Sequence, residues 1–524
     1  MEAMIEGSVL AVAGVLVVRV LLKPPIRREL RAHPLLAVVL FSGAGFAAAF
    51  LTWAWLHSDA VGRVVAAVLG AGVVLAMVRA RPGYGRFRGL PAGSLGLATS
   101  LDAIDDPDFY ARSAERWGPI FKMSQVHHPV VCITDLAMGL EFLRAESDAL
   151  VQSDWPFSRL VPGGYVEFMN GEPHARYRAM LAAGFTAEVL EECRGSITAV
   201  IRQQLAELAR SGNGRGVDPE VFLYRIGFAS LLRVVLGIAV DSAQVEALRG
   251  LFADLNRPFD IFLPTPGRVE TAYRRLAAIV AELAAAARRP GSGSRPTGSV
   301  LAQVVAADPT RADDDTMIGN LILMVKDGSN MVRGLLRWLL KMNADDPRWA
   351  EQFRNVAEMN PEDPARVDGL ASGFVNETLR LHGSRYVYRR LVRDARLGRY
   401  RLPKGWLVRL CLGEAHERPD RFPDPKRFDP ARFAEGCPDR TQFCPFGDGA
   451  HACFGADLAV EVATAFVREV ALGYEVGVVE DGPAWRINRH WGLWRPNPRF
   501  RVAIAARTRS GVAGSWPIQT PQPS

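Results

Sequence analysis

The chain has 524 residues, 49% hydrophobic and 23% charged, which excludes a largely disordered protein and allows one large buried core or several small ones. Its formal charge of +7 comes with 57 Arg among 63 basic residues and no Lys/Arg run interleaved with aromatics; this composition, which looks like GC-rich bacterial coding, accounts for the charge without nucleic acid as a partner. Six Cys in so long a chain are too few for a disulfide scaffold and point to a reducing compartment.

Apolar residues concentrate in three blocks before residue 80. Residues 35–56 carry no charge over 22 positions, the length of a bilayer span. Residues 64–77, between Arg63 and Arg79, are shorter and span if the flanking Arg side chains extend outward. Residues 7–22, with Arg19 near their end, read as a span rather than a signal peptide, because Glu2 and Glu6 precede the block while Lys23, Arg27, Arg28 and Arg31 follow it. The same charge rule sets the nearly neutral connection 57–63 outside and Arg79, Arg81, Arg86 and Arg88 inside. Residues 1–79 therefore read as a multi-pass module of the cell membrane with three spans, the N-terminus out and the remaining chain on the cytoplasmic side. Core helices of a soluble domain are the competing reading of these blocks. Residues 80–98, rich in Arg, Gly and Pro, lack periodicity and read as a stiff hinge.

Beyond the hinge, helical patterns run over 187–209, 271–288 and 312–342, with a polar loop at 290–298 between the last two. Strand-like pieces fall at 130–133 and within 386–412, interrupted by turns at Gly398 and Lys404-Gly405. Residues 99–508 thus read as a mainly α domain with small β-sheets, and 509–524, rich in Ser, Gly, Pro and Gln, as a disordered tail.

Polar residues of chemical interest recur along this domain. His174 and Arg178 lie one turn apart on one helix face, which alone would be a solvated basic face. Glu377 and Arg380, at i and i+3, can pair; alone they would be a surface salt bridge. Arg389 sits in the strand-like region and Arg432 in the run 428–433. In the segment 443–455, Gly447, Gly449 and Gly455 surround a single Cys453 just before a helical pattern over 456–471. A cysteine at a helix N-terminus is favoured as thiolate by the helix dipole and free backbone donors, which suits an axial metal ligand. A buried structural cysteine, or a zinc site with Cys437, Cys444 and His451, is the alternative, although no paired C-x-x-C is present.

The order Phe446-x-x-Gly449-x-His451-x-Cys453-x-Gly455 resembles the signature loop of the cytochrome P-450 superfamily, and the other groups follow that family's order over residues 96–508. The resemblance implies a P-450 fold binding haem b (iron protoporphyrin IX) through the Cys453 thiolate, with Phe446 packed near the sulfur and Gly455 allowing close approach. It implies propionate contacts from His174, Arg178, Arg389 and His451, with Arg390 leaving the register of Arg389 open by one. Glu377, Arg380 and Arg432 would form a buried structural network.

Family monooxygenases usually carry an Ala/Gly-Gly-x-Asp/Glu-Thr pattern on the helix crossing the distal haem face, where acid and Thr deliver protons to bound oxygen. Here that helix reads Asp327-Gly328-Ser329-Asn330-Met331, with neither in place. Three functions compete. In the first, a monooxygenase relays protons through Ser329, Asn330 and water or a substrate hydroxyl, with Asp327, one turn before Met331, standing in for the acid. In the second, an oxygen-independent isomerase, dehydratase or peroxygenase acts on a peroxide. In the third, a non-catalytic haem binds or senses a ligand. Met331 is equally readable as packing against the haem face. The resemblance favours the first: a membrane-anchored bacterial monooxygenase oxidising a lipophilic small molecule of secondary or lipid metabolism that partitions into the lipid bilayer. No flavin or iron-sulfur domain is encoded, so a separate ferredoxin or reductase supplies electrons, received on a basic proximal surface around Arg432 and Arg440.

Overall fold

The computed structural model describes residues 89–95, 108–125, 128–152, 160–212, 216–256, 266–288, 298–483 and 495–507, with Ala103 and Asp106 as single positions. The expected membrane module (1–79) and tail (509–524) lie outside the described residues, as does most of the 290–298 loop. Among the described residues no helix is long and apolar enough to cross a membrane.

Ten strands are present among these residues: β1 (Gly93–Ser94), β2 (Ile120–Gln125), β3 (His128–Ile133), β4 (Leu150–Val151), β5 (Val387–Leu391), β6 (Ala395–Leu397), β7 (Tyr400–Leu402), β8 (Leu407–Leu410), β9 (Tyr474–Glu480) and β10 (Arg501–Ala506). The main sheet has the order β1-β2-β3-β8-β5-β4, and β9/β10 and β6/β7 form separate pairs. β3 contains the continuous apolar run 130–133, buried on both faces, and accordingly lies inside the sheet, antiparallel to β2 and parallel to β8. β5 runs antiparallel to β8 and sets Arg389 opposite Val408. The hinge is partly ordered: Lys122 donates its backbone N–H to Ala92 O (2.7 Å) and its Nζ to Pro91 O (2.6 Å), so β1 forms by pairing with β2. That pairing comes from a distant strand, which explains why local periodicity showed nothing.

Six helices position the site: α1 (Gly171–Ala182), α2 (Ala187–Ser211), α3 (Glu220–Leu231), α4 (Asp315–Asp345), α5 (Pro364–His382) and α6 (Ala456–Gly473). The expected 187–209 helix is α2, started by the Thr186 hydroxyl, which accepts the Val189 N–H at 3.3 Å. The expected 312–342 helix is α4, shifted three residues because Asp314 accepts the N–H groups of Thr316 and Met317, both at 3.0 Å, and caps it there. Such a cap contributes about 1 kcal/mol. The pattern 271–288 belongs to the helix Pro266–Arg288.

α4 is the axis of the helical core. Its first eleven residues from Thr316 are buried without interruption, and α3, α5 and α6 pack around it. The crossing with α3 is close because Gly227 lacks a side chain: a Cβ there would stand 3.1 Å from Ser329 O and 3.3 Å from Val332 Cβ. That contact commits the Ser329/Val332 side of α4 to the protein interior and leaves the side bearing Asp327 and Met331 for another purpose.

Two histidines, His416 buried and His382 half-buried, give the fold an acid sensitivity. His382 stacks on Trp338 with ring centroids 3.6 Å apart, and His416 accepts the Cys444 N–H at 3.0 Å. Burial, then nearby cations led by Arg385, pushes both imidazoles down to about 3 from an ordinary value of 6.5. Between those values the unfolded chain binds more protons than the folded one. The stabilisation is therefore complete above pH 6.5 and is lost as pH falls toward 3, by up to about 1.4 kcal/mol per pH unit for each group. A His382→Phe variant, which keeps the stack, is expected to show a shallower fall of melting temperature between pH 6.5 and 4 than wild type; parallel curves would refute this.

Candidate active site

The segment 443–455 folds back on itself: Cys453 donates its backbone N–H to Phe446 O at 2.9 Å, and Gly447 (φ +74°) and Gly449 (φ +68°) make the reversal. α6 then begins, with Gly455 as its N-cap residue and the Gly455 N–H close to the Cys453 sulfur. The Cys453 side chain is exposed, yet desolvation by surrounding protein is the strongest influence on it and pushes the thiol up. Accessibility combined with desolvation places this sulfur on an internal space. The Gly455 N–H and Arg178 pull the thiol down, but burial outweighs them.

Around that space the structure gathers two arginines and two histidines from three elements. His174 on α1 stacks on His451, with centroids 3.9 Å apart and planes 25° apart. Arg178, one turn along α1, lies 4.4 Å over the Phe454 ring. Arg389 of β5 lies close enough to act on both histidines. Burial, then Arg389, His174 and Arg178, pushes His451 down to about 3, and burial pushes Arg389 down to about 10. Neither Arg178 nor Arg389 forms an ion pair with a described residue. Clustered, part-buried cations are costly unless an anion enters among them. The two propionates of a haem held by Cys453 would supply two negative charges, and the donor set fits that group. Among the described residues no three His, Cys, Asp or Glu side chains are grouped to hold a metal ion, which separates Cys437 and Cys444 from any such role.

Glu377 and Arg380 pair in a bidentate bridge, 2.7 Å on both arms, with both side chains 0% exposed. Arg380 also donates to His416 O (3.0 Å) and Pro425 O (2.8 Å), while Glu377 accepts the Asp429 N–H at 2.9 Å. Arg432 stands 3.5 Å from Glu377 and donates to Asp424 O at 2.9 Å. Its side chain is only 13% exposed, so the expected basic surface does not include it. Arg440, 69% exposed, is on the surface, and it shares Asp448 with Arg144, each at 3.0 Å.

On the opposite wall, the Asp327 carboxylate pairs with Lys326 Nζ at 2.7 Å, and its charge is among the influences that push the nearby buried Tyr165 hydroxyl up. Met331, one turn on, is 49% exposed although it sits in mid-helix, which marks the open face of α4. Ser329 does not share that face. It lies about 200° around the helix from Asp327, fully buried, its hydroxyl donating to Val325 O at 2.5 Å. This corrects its expected place in a proton relay. The Asn330 amide donates to Asn256 Oδ1 (2.9 Å) and Lys326 O (2.8 Å), so its donor is committed elsewhere. Two residues at this wall carried no signal in the sequence, Tyr165 and Glu167, both in the irregular segment before α1. A carboxylate four residues before Gly171, at the start of the His174/Arg178 helix, was the only hint.

The family model described as "Cytochrome P450" matches residues 370–504. Abscisic acid 8'-hydroxylase 3 of Oryza sativa subsp. indica is 26% identical over 424 residues, covering 76% of this chain and 84% of its own length. Cytochrome P450 88A1 of Zea mays is 28% identical over 433 residues, covering 77% and 79%. Among solved structures, the retinoic acid-bound cyanobacterial CYP120A1 superposes with a TM-score of 0.63 at 23% identity, covering 80% of this chain and 100% of that one. A zebra fish cytochrome P450 with abiraterone gives 0.61 at 17% identity, covering 76% and 99%. These superpositions establish the fold, mainly helical with small sheets.

Proposed function

The chain belongs to the cytochrome P450 superfamily and is a monooxygenase, and from that premise we propose that it hydroxylates a lipophilic small molecule at haem b held by Cys453. One observation carries the haem assignment: His174, Arg178, Arg389 and His451 converge, two of them unpaired arginines, on the space into which the Cys453 sulfur opens. When bound, haem supplies the iron chemistry of oxygen activation with two electrons. His174, Arg178, Arg389 and His451 bind its propionates, Phe446 and Gly455 flank the sulfur, and the apolar side chain of Met331 limits water on the facing wall. The Asp327 carboxylate, held by Lys326 Nζ and set beside Tyr165, is the residue of that wall through which protons pass. The hydroxylase named among the relatives acts, by its name, on abscisic acid, an apolar acid, which supports a lipophilic substrate class here.

We assign residues 99–508 to the catalytic domain, 80–98 to the connector, and 1–79 to a module that tethers it to the bilayer, where a lipophilic substrate concentrates. A bacterial source and a role in secondary or lipid metabolism remain with this proposal, resting on the Arg-rich composition. A separate ferredoxin or reductase delivers electrons, with Arg440 and Arg144 as exposed cations near the Cys453 loop for an acidic donor.

Purified protein given NAD(P)H and a surrogate reductase is expected to consume oxygen in step with hydroxylated product. In Asp327→Ala that coupled turnover should fall roughly 10² to 10⁴-fold, the range of a lost proton donor. An unchanged rate removes Asp327 from the mechanism, and conversion of a lipid hydroperoxide without reductant overturns the monooxygenase assignment in favour of peroxide chemistry.

A further inference from the structure

The segment before α1 is fixed to α4 by buried polar contacts. Gly163 donates to Thr316 Oγ1 at 3.1 Å, Val166 donates to Asn320 Oδ1 at 2.7 Å, and Asn320 Nδ2 donates to Gly164 O at 3.1 Å. Asn320 is fully buried, and it lies two helical turns before Asp327. This anchoring brings Tyr165 near Asp327 and carries Glu167, two residues on, along the same wall. The Glu167 side chain is accessible, but as with Cys453, desolvation by protein is the strongest influence on it. Its electrostatic neighbours come from two further elements: Asp327 and Lys326 of α4, and Arg389 of β5. Cys453 and Tyr165 in turn respond to its charge. Glu167 therefore faces the enclosed space shared by α4, β5 and the Cys453 loop, and its carboxylate makes no hydrogen bond or ion pair with a described residue.

The charges of this wall do not cancel. Lys326 is paired with Asp327 at 2.7 Å, and Arg389 belongs to the cationic group beside His174 and His451. One carboxylate is left over, and burial followed by the charge of Asp327 pushes it up to about 7, so near neutral pH it exists both as acceptor and as acid. An accessible carboxyl group of this kind accepts from a hydroxyl or ammonium group and opposes a second carboxylate.

We propose that Glu167 is the polar anchor of the substrate space and selects lipophiles with a hydrogen-bond-donating head, a hydroxyl or protonated amine, over lipophilic carboxylates. The selectivity is opposite to what the acids named for two relatives, abscisic and retinoic acid, would suggest by analogy. It rests on the haem assignment above, because Glu167 acts on whatever lies between it and the iron.

The test uses the haem-loaded full chain and azole probes that anchor on iron through nitrogen: phenylimidazole and its para-substituted benzyl alcohol, benzylamine and benzoic acid. Binding is read from the Soret shift. Wild type is expected to bind the alcohol and amine at least roughly tenfold tighter than the acid, a difference of the size one opposed buried charge produces. Glu167→Gln is expected to bring the acid within about threefold of the alcohol while leaving the phenylimidazole affinity unchanged. Equal binding of acid and alcohol by wild type, or a ratio untouched by Glu167→Gln, overturns the proposal. Absence of any Soret shift with phenylimidazole itself would overturn the haem assignment and the proposal together.

Discussion

Cys453→Ser abolishes the red-shifted Soret band of the reduced, carbon monoxide-treated protein and lowers turnover by about a thousandfold or more, on the order of 4 kcal/mol in the barrier. A serine oxygen fits the same position, but its ionisation is far less favourable than that of a thiol. The two influences that pull the Cys453 thiol down, the Gly455 N–H and Arg178, already lose to burial. The hydroxyl therefore stays neutral and lacks the electron donation by which a thiolate favours O–O cleavage. The scaffold survives the change, since the loop is closed by the backbone bond from Cys453 to Phe446 O and the side chain belongs to no core cluster. Haem-free wild type and variant should therefore melt together, within about 0.5 kcal/mol. Four of the other five cysteines are poorly placed for the role: Cys444 is buried and pushed up to about 11, and Cys132, Cys193 and Cys411 are buried in packed cores; Cys437 is exposed, outside the Cys453 loop. A band that persists in the Ser variant would sink the ligand assignment.

How much of this could be read in the chain follows from the range of the forces involved. α2, α4 and α6 were legible because each carries a long apolar period, and their starts were legible where a side chain such as Thr186 or Asp314 closes the first turn. The Cys453 loop was legible because its glycines and thiol serve one ligand and so sit close together in sequence. Glu377 and Arg380 were legible as a pair, but their complete burial was not, since the carbonyls of His416 and Pro425 that satisfy Arg380 arrive from 36 and 45 residues away. The distal wall was read least well. Placing Ser329 in the relay treated neighbours in sequence as neighbours in space; helix geometry sends it to the α3 crossing, where Gly227 admits its backbone. Glu167 was invisible because its position depends on Asn320 and Thr316, more than 150 residues distant, and no local pattern encodes such a contact. β1 escaped for the same reason, being a strand only by virtue of β2.

Arg380→Met is expected to destabilise the protein by about 3 to 5 kcal/mol, a large share of a typical 5 to 15 kcal/mol total. The guanidinium answers five acceptors at once, the two oxygens of Glu377, the carbonyls of His416 and Pro425 and, more weakly at 3.4 Å, that of Arg427, and all of them lose a donor in a dry interior. Glu377 keeps only the Asp429 N–H at 2.9 Å and the more distant Arg432, too little to hold a buried charge. The double variant Glu377→Met/Arg380→Met removes both charges and is expected to recover part of the loss, because an ion pair of this burial repays little more than its own desolvation. Recovery stays incomplete, since the carbonyls and the Asp429 N–H remain unanswered. The damage also reaches the haem site along a defined route. Arg380 holds His416 O, His416 Nε2 accepts the Cys444 N–H, and Cys444 O accepts the Gly447 N–H at the reversal that presents Cys453. Haem content per polypeptide in Arg380→Met should therefore fall at a temperature where the rest of the fold, followed by circular dichroism, is still intact. Chemical denaturation measures the stability terms and the absorbance ratio of haem to protein measures the second effect. A single variant within about 1 kcal/mol of wild type would mean that this buried pair is not what holds the proximal side together.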